Sequence, residues 1–287
     1  MSKQQQPPVY PDEPKIPILP NMLTAGNLLC GFFAILTIYQ GMYVHAANDA
    51  AAAAIESYRT ATYLIFAACA FDLLDGRVAR MCKADGPFGR EFDSIADVVS
   101  FGIAPSLLLV SGVLDGMGNI GWGIAVLYML CASLRLARFN CMAAAPKKPN
   151  QSMDFVGLPV PMAAGAVVST FYLVSYFVGQ GTVIPTAWQY VMAACMAVVS
   201  LLMMSRVIYP SFKHVNFEKK GTAMAILLAA MAVVLFIHNP EVAPAIVFLC
   251  YLLYGLVVRP FLTRRMRRII EVTDEEEDSA DADAPQE

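Results

Sequence analysis

Eight apolar runs, each near the ~20 residues needed to cross a hydrocarbon core, dominate this chain. They lie at about 22–41, 60–82, 93–114, 119–138, 158–178, 187–209, 221–238 and 242–262. A bilayer interior offers no water to unpaired backbone groups, so runs of this length and spacing read as helices. With 57% of its 287 residues hydrophobic and only 15% charged, the chain is too apolar for a soluble domain of its size. The expected fold is an all-α integral membrane protein with eight transmembrane helices.

Charge orients it. With the N-terminus in the cytoplasm, 19 of the 20 lysines and arginines fall in inner segments or at inner span ends, and only Arg59 falls outside. The positive-inside rule then puts both termini in the cytoplasm. External connections, such as the Ala-rich 42–59 and Asp115-Gly116-Met117-Gly118, carry little chemistry, so the working face is expected to be the inner one. Residues 1–17 contain no apolar run of signal-peptide length, and the first span is expected to belong to the mature protein. The membrane domain is taken as 18–262. Beyond it, 263–287 pairs the basic Arg264-Arg265-Met266-Arg267-Arg268, drawn to anionic headgroups, with an acidic stretch expected to be disordered. The seven cysteines are odd in number and lack a CxxC pair, which argues against a disulfide framework or zinc knuckle. No internal repeat of the inverted-transporter kind is present, and no nucleic-acid partner is expected.

Ionisable groups inside spans are expensive and by default functional, and here they are concentrated in one place. The second span ends Phe71-Asp72-Leu73-Leu74-Asp75-Gly76-Arg77-Val78-Ala79-Arg80, and the third begins Gly89-Arg90-Glu91-Phe92-Asp93-Ser94-Ile95-Ala96-Asp97. Asp72 and Asp75 are three apart and Asp93 and Asp97 four apart, so each pair shares one helix face. The short connection around Asp85-Gly86-Pro87 makes the two helices antiparallel neighbours. At a rise of about 1.5 Å per residue, Asp75 and Asp97 both lie roughly 12 Å in from the same edge.

Four carboxylates at one point could not all stay ionised without cations, because like charges repel and desolvation adds to the cost. All-oxygen ligation without His or Cys suits Mg²⁺ or Mn²⁺, and four acids suggest two ions, the usual clamp for displacement at a diphosphate. Gly76, Ala79 and Gly89 would let a nucleotide approach the backbone closely. Two other readings stand beside this one: a structural ion network with Arg77, Arg80 and Arg90, or a proton or cation relay in a transporter.

The spacing Asp72-x-x-Asp75-Gly76-x-x-Ala79-Arg80, eight residues, then Gly89-x-x-x-Asp93-x-x-x-Asp97 resembles the complete signature of the CDP-alcohol phosphotransferase family, with all eight positions occupied. Members transfer a phosphatidyl-type group from a CDP-linked lipid to an alcohol and release CMP. The resemblance implies two divalent cations on Asp72, Asp75 and Asp93, with Asp97 beside the metals, counted in the metal set and acting as the base. It also implies a cofactor-binding set of Gly76, Ala79, Arg80, Gly89 and Ser94. Pro20-Asn21-Met22-Leu23-Thr24-x-x-Asn27 resembles the family's first-span opening, where Asn27 would face the nucleotide or a metal-bound phosphate. For Asn21 and Thr24 the plainer expectation is helix capping.

Three further strings, Ser100-Phe101-Gly102-Ile103-Ala104-Pro105, Leu134-Arg135-Leu136-Ala137-Arg138-Phe139-Asn140 and Phe155-Val156-Gly157-Leu158-Pro159-Val160-Pro161, resemble the phosphatidylserine synthase branch. That resemblance implies CDP-diacylglycerol and L-serine as substrates and CMP as product. It further implies a prokaryotic inner membrane with the active site facing the cytoplasm, and a homodimer among membrane lipids. Serine's carboxylate matches a guanidinium fork, so Arg135 and Arg138, three apart at the inner edge, are candidates to bind serine or the lipid phosphate. Position at an inner span end would place arginines there in any case. Glycerol phosphate, inositol phosphate or choline as acceptor, or an ion-coupled transporter, are the alternatives.

Overall fold

The structure, a computed structural model, describes residues 18–48, 51–82, 86–144, 155–178, 185–205, 207–209, 238, 239 and 241–258. The expected seventh span, the basic 264–268 cluster and both tails lie outside the described residues. Within them the chain is helical apart from one two-residue antiparallel pairing, β1 (Phe155–Val156) with β2 (Ile208–Tyr209). The helices are α1 (Ile18–Asn48), α2 (Ala51–Met81), α3 (Pro87–Met117), α4 (Asn119–Ala144), α5 (Val160–Val178), α6 (Thr186–Met204) and α7 (Ala243–Leu253). Five are long and apolar enough to cross a membrane: most of α1, all of α3, and α4, α5 and α6. The chain is a multi-pass membrane protein. The 31-residue α2 carries Asp72, Asp75, Arg77 and Arg80 in its last third, and α7 belongs to a shorter apolar helix, Ala243–Leu256.

Helix ends depart from the apolar runs in two places. The connection expected at 42–59 is helical on both sides, with only 49 and 50 between α1 and α2, because alanine sustains a helix beyond the apolar stretch. The run 187–209 overreaches: α6 stops at Met204, and Ile208–Tyr209 pair with β1.

The α3 helix sits in the middle, packed against α1, α2, α4, α5 and α6. Its path is not a plain α-helix, since Val98–Ile103 and Val110–Leu114 are wide turns with i to i+5 bonding. Pro105 supplies the reason for the first, because it has no N–H to give the carbonyl of Phe101. That carbonyl is taken instead by the hydroxyl of Tyr128 on α4, at 3.0 Å, inside the core.

The inward face of α1 runs Pro20, Thr24, Asn27, Gly31, Ala34, Ile38, Gly41, alternating steps of four and three. Gly31 is where α1 crosses α3: a Cβ there would lie 2.7 Å from the Cα of Ser100, so only glycine allows the approach. A second glycine is fixed by conformation. Gly157 has φ 84° and donates to the Val207 carbonyl at 2.8 Å, while a Cβ on it would lie 2.5 Å from the Met203 carbonyl. The string 155–161 therefore seats the start of α5 on the end of α6.

Candidate active site

The acids meet where the last third of α2 and the first turns of α3 face the start of α1. Asp72, Asp75 and Asp93 each bring one carboxylate oxygen within 4.8 Å of the others. Asp97, one turn beyond Asp93, stands outside that trio yet interacts electrostatically with all three. Asp75 and Asp97 are each only 5% exposed, and Asp72 and Asp93 are half-buried.

Two polar residues of α1 hold the two buried acids. Thr24 Oγ1 donates to Asp75 Oδ2 at 2.9 Å, and Asn27 Nδ2 donates to Asp97 Oδ1 at 3.1 Å. Asn27 is itself anchored, since Ser100 Oγ donates to its backbone carbonyl at 3.0 Å. These bonds overturn the capping expectation for Thr24, because α1 already begins at Ile18 and position 24 is on its inward stripe. A polar residue on a stripe otherwise made of small and apolar side chains was the sequence signal.

Several polar atoms here are buried without a partner among the described residues: Asp93 Oδ1, Asn21 Nδ2, Asn27 Oδ1 and Arg135 Nε. Such atoms are costly unless something else satisfies them. The trio fits a hard divalent ion, because the donors are all carboxylate oxygens and opposite ligands of such an ion lie about 4–5 Å apart, twice a bond length of 2.0–2.6 Å. Among the described residues, a Cβ added to Gly89 would meet only Asn21 Oδ1, at 3.5 Å. The described packing thus does not demand glycine at 89. Gly76 and Ala79 are half-buried on the same stretch of α2.

Other expected residues are differently placed. Ser94 Oγ donates to the Arg90 carbonyl at 2.9 Å and accepts from Asn140 Nδ2 at 2.8 Å, tying α3 to α4. The side chain of Arg80 lies outside the described residues, and Arg77 and Arg90 are exposed. Arg135 is 8% exposed, and its guanidinium lies within electrostatic reach of Asp97, Tyr251 and Arg138. Arg138 is half-buried. Sequence reasoning missed Asn140 as the partner of Ser94 and Tyr251 as a neighbour of Arg135. Nothing in their spacing linked α4 to α3, or α7 to α4.

The family model for CDP-alcohol phosphatidyltransferase matches residues 17–200, which run from the start of α1 through most of α6. The chain belongs to the CDP-alcohol phosphatidyltransferase family. Among its relatives, the CDP-diacylglycerol--serine O-phosphatidyltransferase of Helicobacter pylori is 31% identical over 246 residues, 85% of this chain and 92% of that one. The protein of the same name from Bacillus subtilis is 32% identical over 196 residues, covering 68% of this chain and 91% of that one. An archaetidylserine synthase of Methanothermobacter thermautotrophicus is 34% identical over 194 residues, 67% of this chain and 69% of that one. All four signature aspartates and the α1 residues that hold two of them fall inside the stretch matched by this family.

Proposed function

We propose that the protein transfers the phosphatidyl group of CDP-diacylglycerol to the hydroxyl of L-serine, giving phosphatidylserine and CMP. The observation that carries this reading is the pairing of a three-carboxylate cluster, Asp72, Asp75 and Asp93, with a separately held, buried Asp97. The names of the relatives support serine as acceptor.

In this reading Asp72, Asp75 and Asp93 hold two divalent cations, Mg²⁺ or Mn²⁺. Bound there, the ions supply positive charge against the diphosphate and its developing CMP leaving group. Asp97, oriented through Oδ1 by Asn27, takes the proton from the serine hydroxyl, and that oxygen attacks the phosphorus attached to diacylglycerol. Gly76, Ala79 and Gly89 leave room for the cytidine against the helix backbone. Arg135, whose Nε lacks a protein partner, offers a buried fork to serine's carboxylate, with Arg138 beside it. Arg80 belongs to the CDP-lipid binding set in this scheme, and Ser94 serves through the α3–α4 tie.

The membrane domain, 18–262, has eight spans in this reading, with both termini cytoplasmic and the site opening to the cytosol of a prokaryotic inner membrane. Serine enters from the cytosol and the lipid from the leaflet, and the protein works as a homodimer. The test is an acceptor screen in which purified protein receives CDP-diacylglycerol, Mn²⁺ or Mg²⁺ and one alcohol at a time. CMP release with serine, and not with glycerol phosphate, inositol phosphate or choline, is expected. Release with another alcohol alone would reassign the acceptor, and no release with any alcohol would remove the transferase reading.

A further inference from the structure

Asn27 is fully buried, and each polar group of its side chain has a distinct fate. Nδ2 is committed to Asp97, while Oδ1 has no partner among the described residues. The Asp97 carboxylate fixes which way the amide points, because only the NH₂ end can face an acceptor. What Asn27 shows an incoming molecule is therefore a neutral hydrogen-bond acceptor, held rigid by the Asp97 bond at one end and by Ser100 on its backbone at the other. A phosphate, which offers only acceptors, does not match it. A donor does.

We propose that Asn27 reads the amino group of the acceptor, its Oδ1 accepting from the ammonium of serine while its Nδ2 positions Asp97. This rests on the reading in which serine is the acceptor and Asp97 its base. Serine's hydroxyl and amino groups sit on adjacent carbons, so a hydroxyl delivered to Asp97 brings a donor alongside Asp97's own partner. Arg135, a buried guanidinium within electrostatic reach of the same carboxylate, has in Nε a donor without a partner among the described residues for the third group of the amino acid. The site thus sets one orphan acceptor and one orphan donor around Asp97, complementary to a zwitterion. A neutral amide suits the ammonium better than a further acid would, since four carboxylates already crowd this place. Acceptors without an amino group leave Oδ1 unsatisfied, which is how a site rejects an analogue lacking one polar group.

The experiment uses the full chain in detergent with Mn²⁺ and CDP-diacylglycerol, and measures KM for serine, KM for CDP-diacylglycerol, kcat, and the inhibition constant of 3-hydroxypropionate, which lacks only the amino group. In Asn27→Leu the serine KM should rise about tenfold to a hundredfold, the loss of one hydrogen bond to a charged group. The 3-hydroxypropionate constant and the CDP-diacylglycerol KM should stay put, and kcat should fall through loss of the Asp97 contact. Equal weakening of serine and 3-hydroxypropionate would overturn the proposal and leave Asn27 only a holder of Asp97. A raised CDP-diacylglycerol KM with an unchanged serine KM would overturn it in favour of the nucleotide. Should Asn27→Leu fail to fold, Asn27→Ala removes the same two groups: a raised serine KM with an unchanged 3-hydroxypropionate constant supports the proposal, and equal weakening of both sinks it. Absence of serine turnover in the parent chain would instead strike the underlying choice of acceptor, before any variant is made.

Discussion

Replacing Thr24 with valine removes the hydroxyl that donates to Asp75, and with it only a longer contact, 3.3 Å, to the Pro20 carbonyl within α1. The side chain stays β-branched and nearly isosteric, but the hydroxyl that donates to Asp75 Oδ2 at 2.9 Å becomes a methyl group. Asp75 is 5% exposed, so bulk water is poorly placed to take the donor's role. A hydrogen bond to a charged group is worth about 1.5–3 kcal/mol, and each 1.4 kcal/mol is about tenfold in an equilibrium constant. Loss of an outer partner that orients a ligand typically weakens metal binding by about 10–100-fold. We therefore expect Mn²⁺ affinity to fall by about tenfold or more in Thr24→Val, measured calorimetrically on the purified protein without substrate. Thr24→Ser should recover most of it, and Asp75→Ala sets the floor. If Thr24→Val binds Mn²⁺ like the parent while Asp75→Ala does not, Thr24 does not orient the ligand. If both bind like the parent, the trio is not the metal site.

Asp97→Asn should abolish CMP release while sparing metal-dependent binding of CDP-diacylglycerol, because the amide keeps the shape and loses the base; near-normal turnover would remove Asp97 from that role. Arg135→Ala should raise the serine KM about tenfold to a hundredfold at saturating CDP-diacylglycerol, with Arg135→Lys a poor rescue because an ammonium cannot fork. Equal loss for both substrates would point to the transferred phosphate instead. Gly157→Ala should lower the thermal midpoint in detergent by an amount equivalent to about 1–3 kcal/mol, the cost of a non-glycine residue held at a left-handed φ, with an unchanged midpoint arguing against the tight seat on α6.

The sequence already carried the catalytic part of the site, because its logic is local. Asp72 and Asp75, and Asp93 and Asp97, share helix faces by spacing alone, and a short turn brings the two faces together. The structure brings Asp72, Asp75 and Asp93 into one cluster and sets Asp97 apart with Asn27. What could not be read locally was which residues of other helices complete it. Thr24 and Asn27 lie 51 and 70 residues from the acids they hold. Tyr128 lies 27 residues from the Phe101 carbonyl to which it donates and which Pro105, lacking an N–H, cannot bond. Membrane runs were legible as existence, less so as extent: hydropathy senses the bilayer, whereas helix ends obey capping, alanine content and local pairing. Hence α1 and α2 overrun their apolar stretches and α6 falls short of its own.

The position of α1 then explains why its small residues and its polar residues belong to one device. Thr24 and Asn27 are three apart on a single helix, while Asp75 and Asp97, the carboxylates they hold, come from two different ones. Both bonds form only if α1 keeps its height and rotation against α2 and α3 together. Gly31 sets that position, one turn beyond Asn27, where Ser100 leaves no space for a side chain and donates back to the Asn27 carbonyl. A methyl group at 31 would push α1 outward at the turn that carries Asn27, and the contact with Asp97 would lengthen before that between Thr24 and Asp75. Crowding at this crossing should consequently act on the base first and on the metal ligand second, lowering turnover before Mn²⁺ affinity.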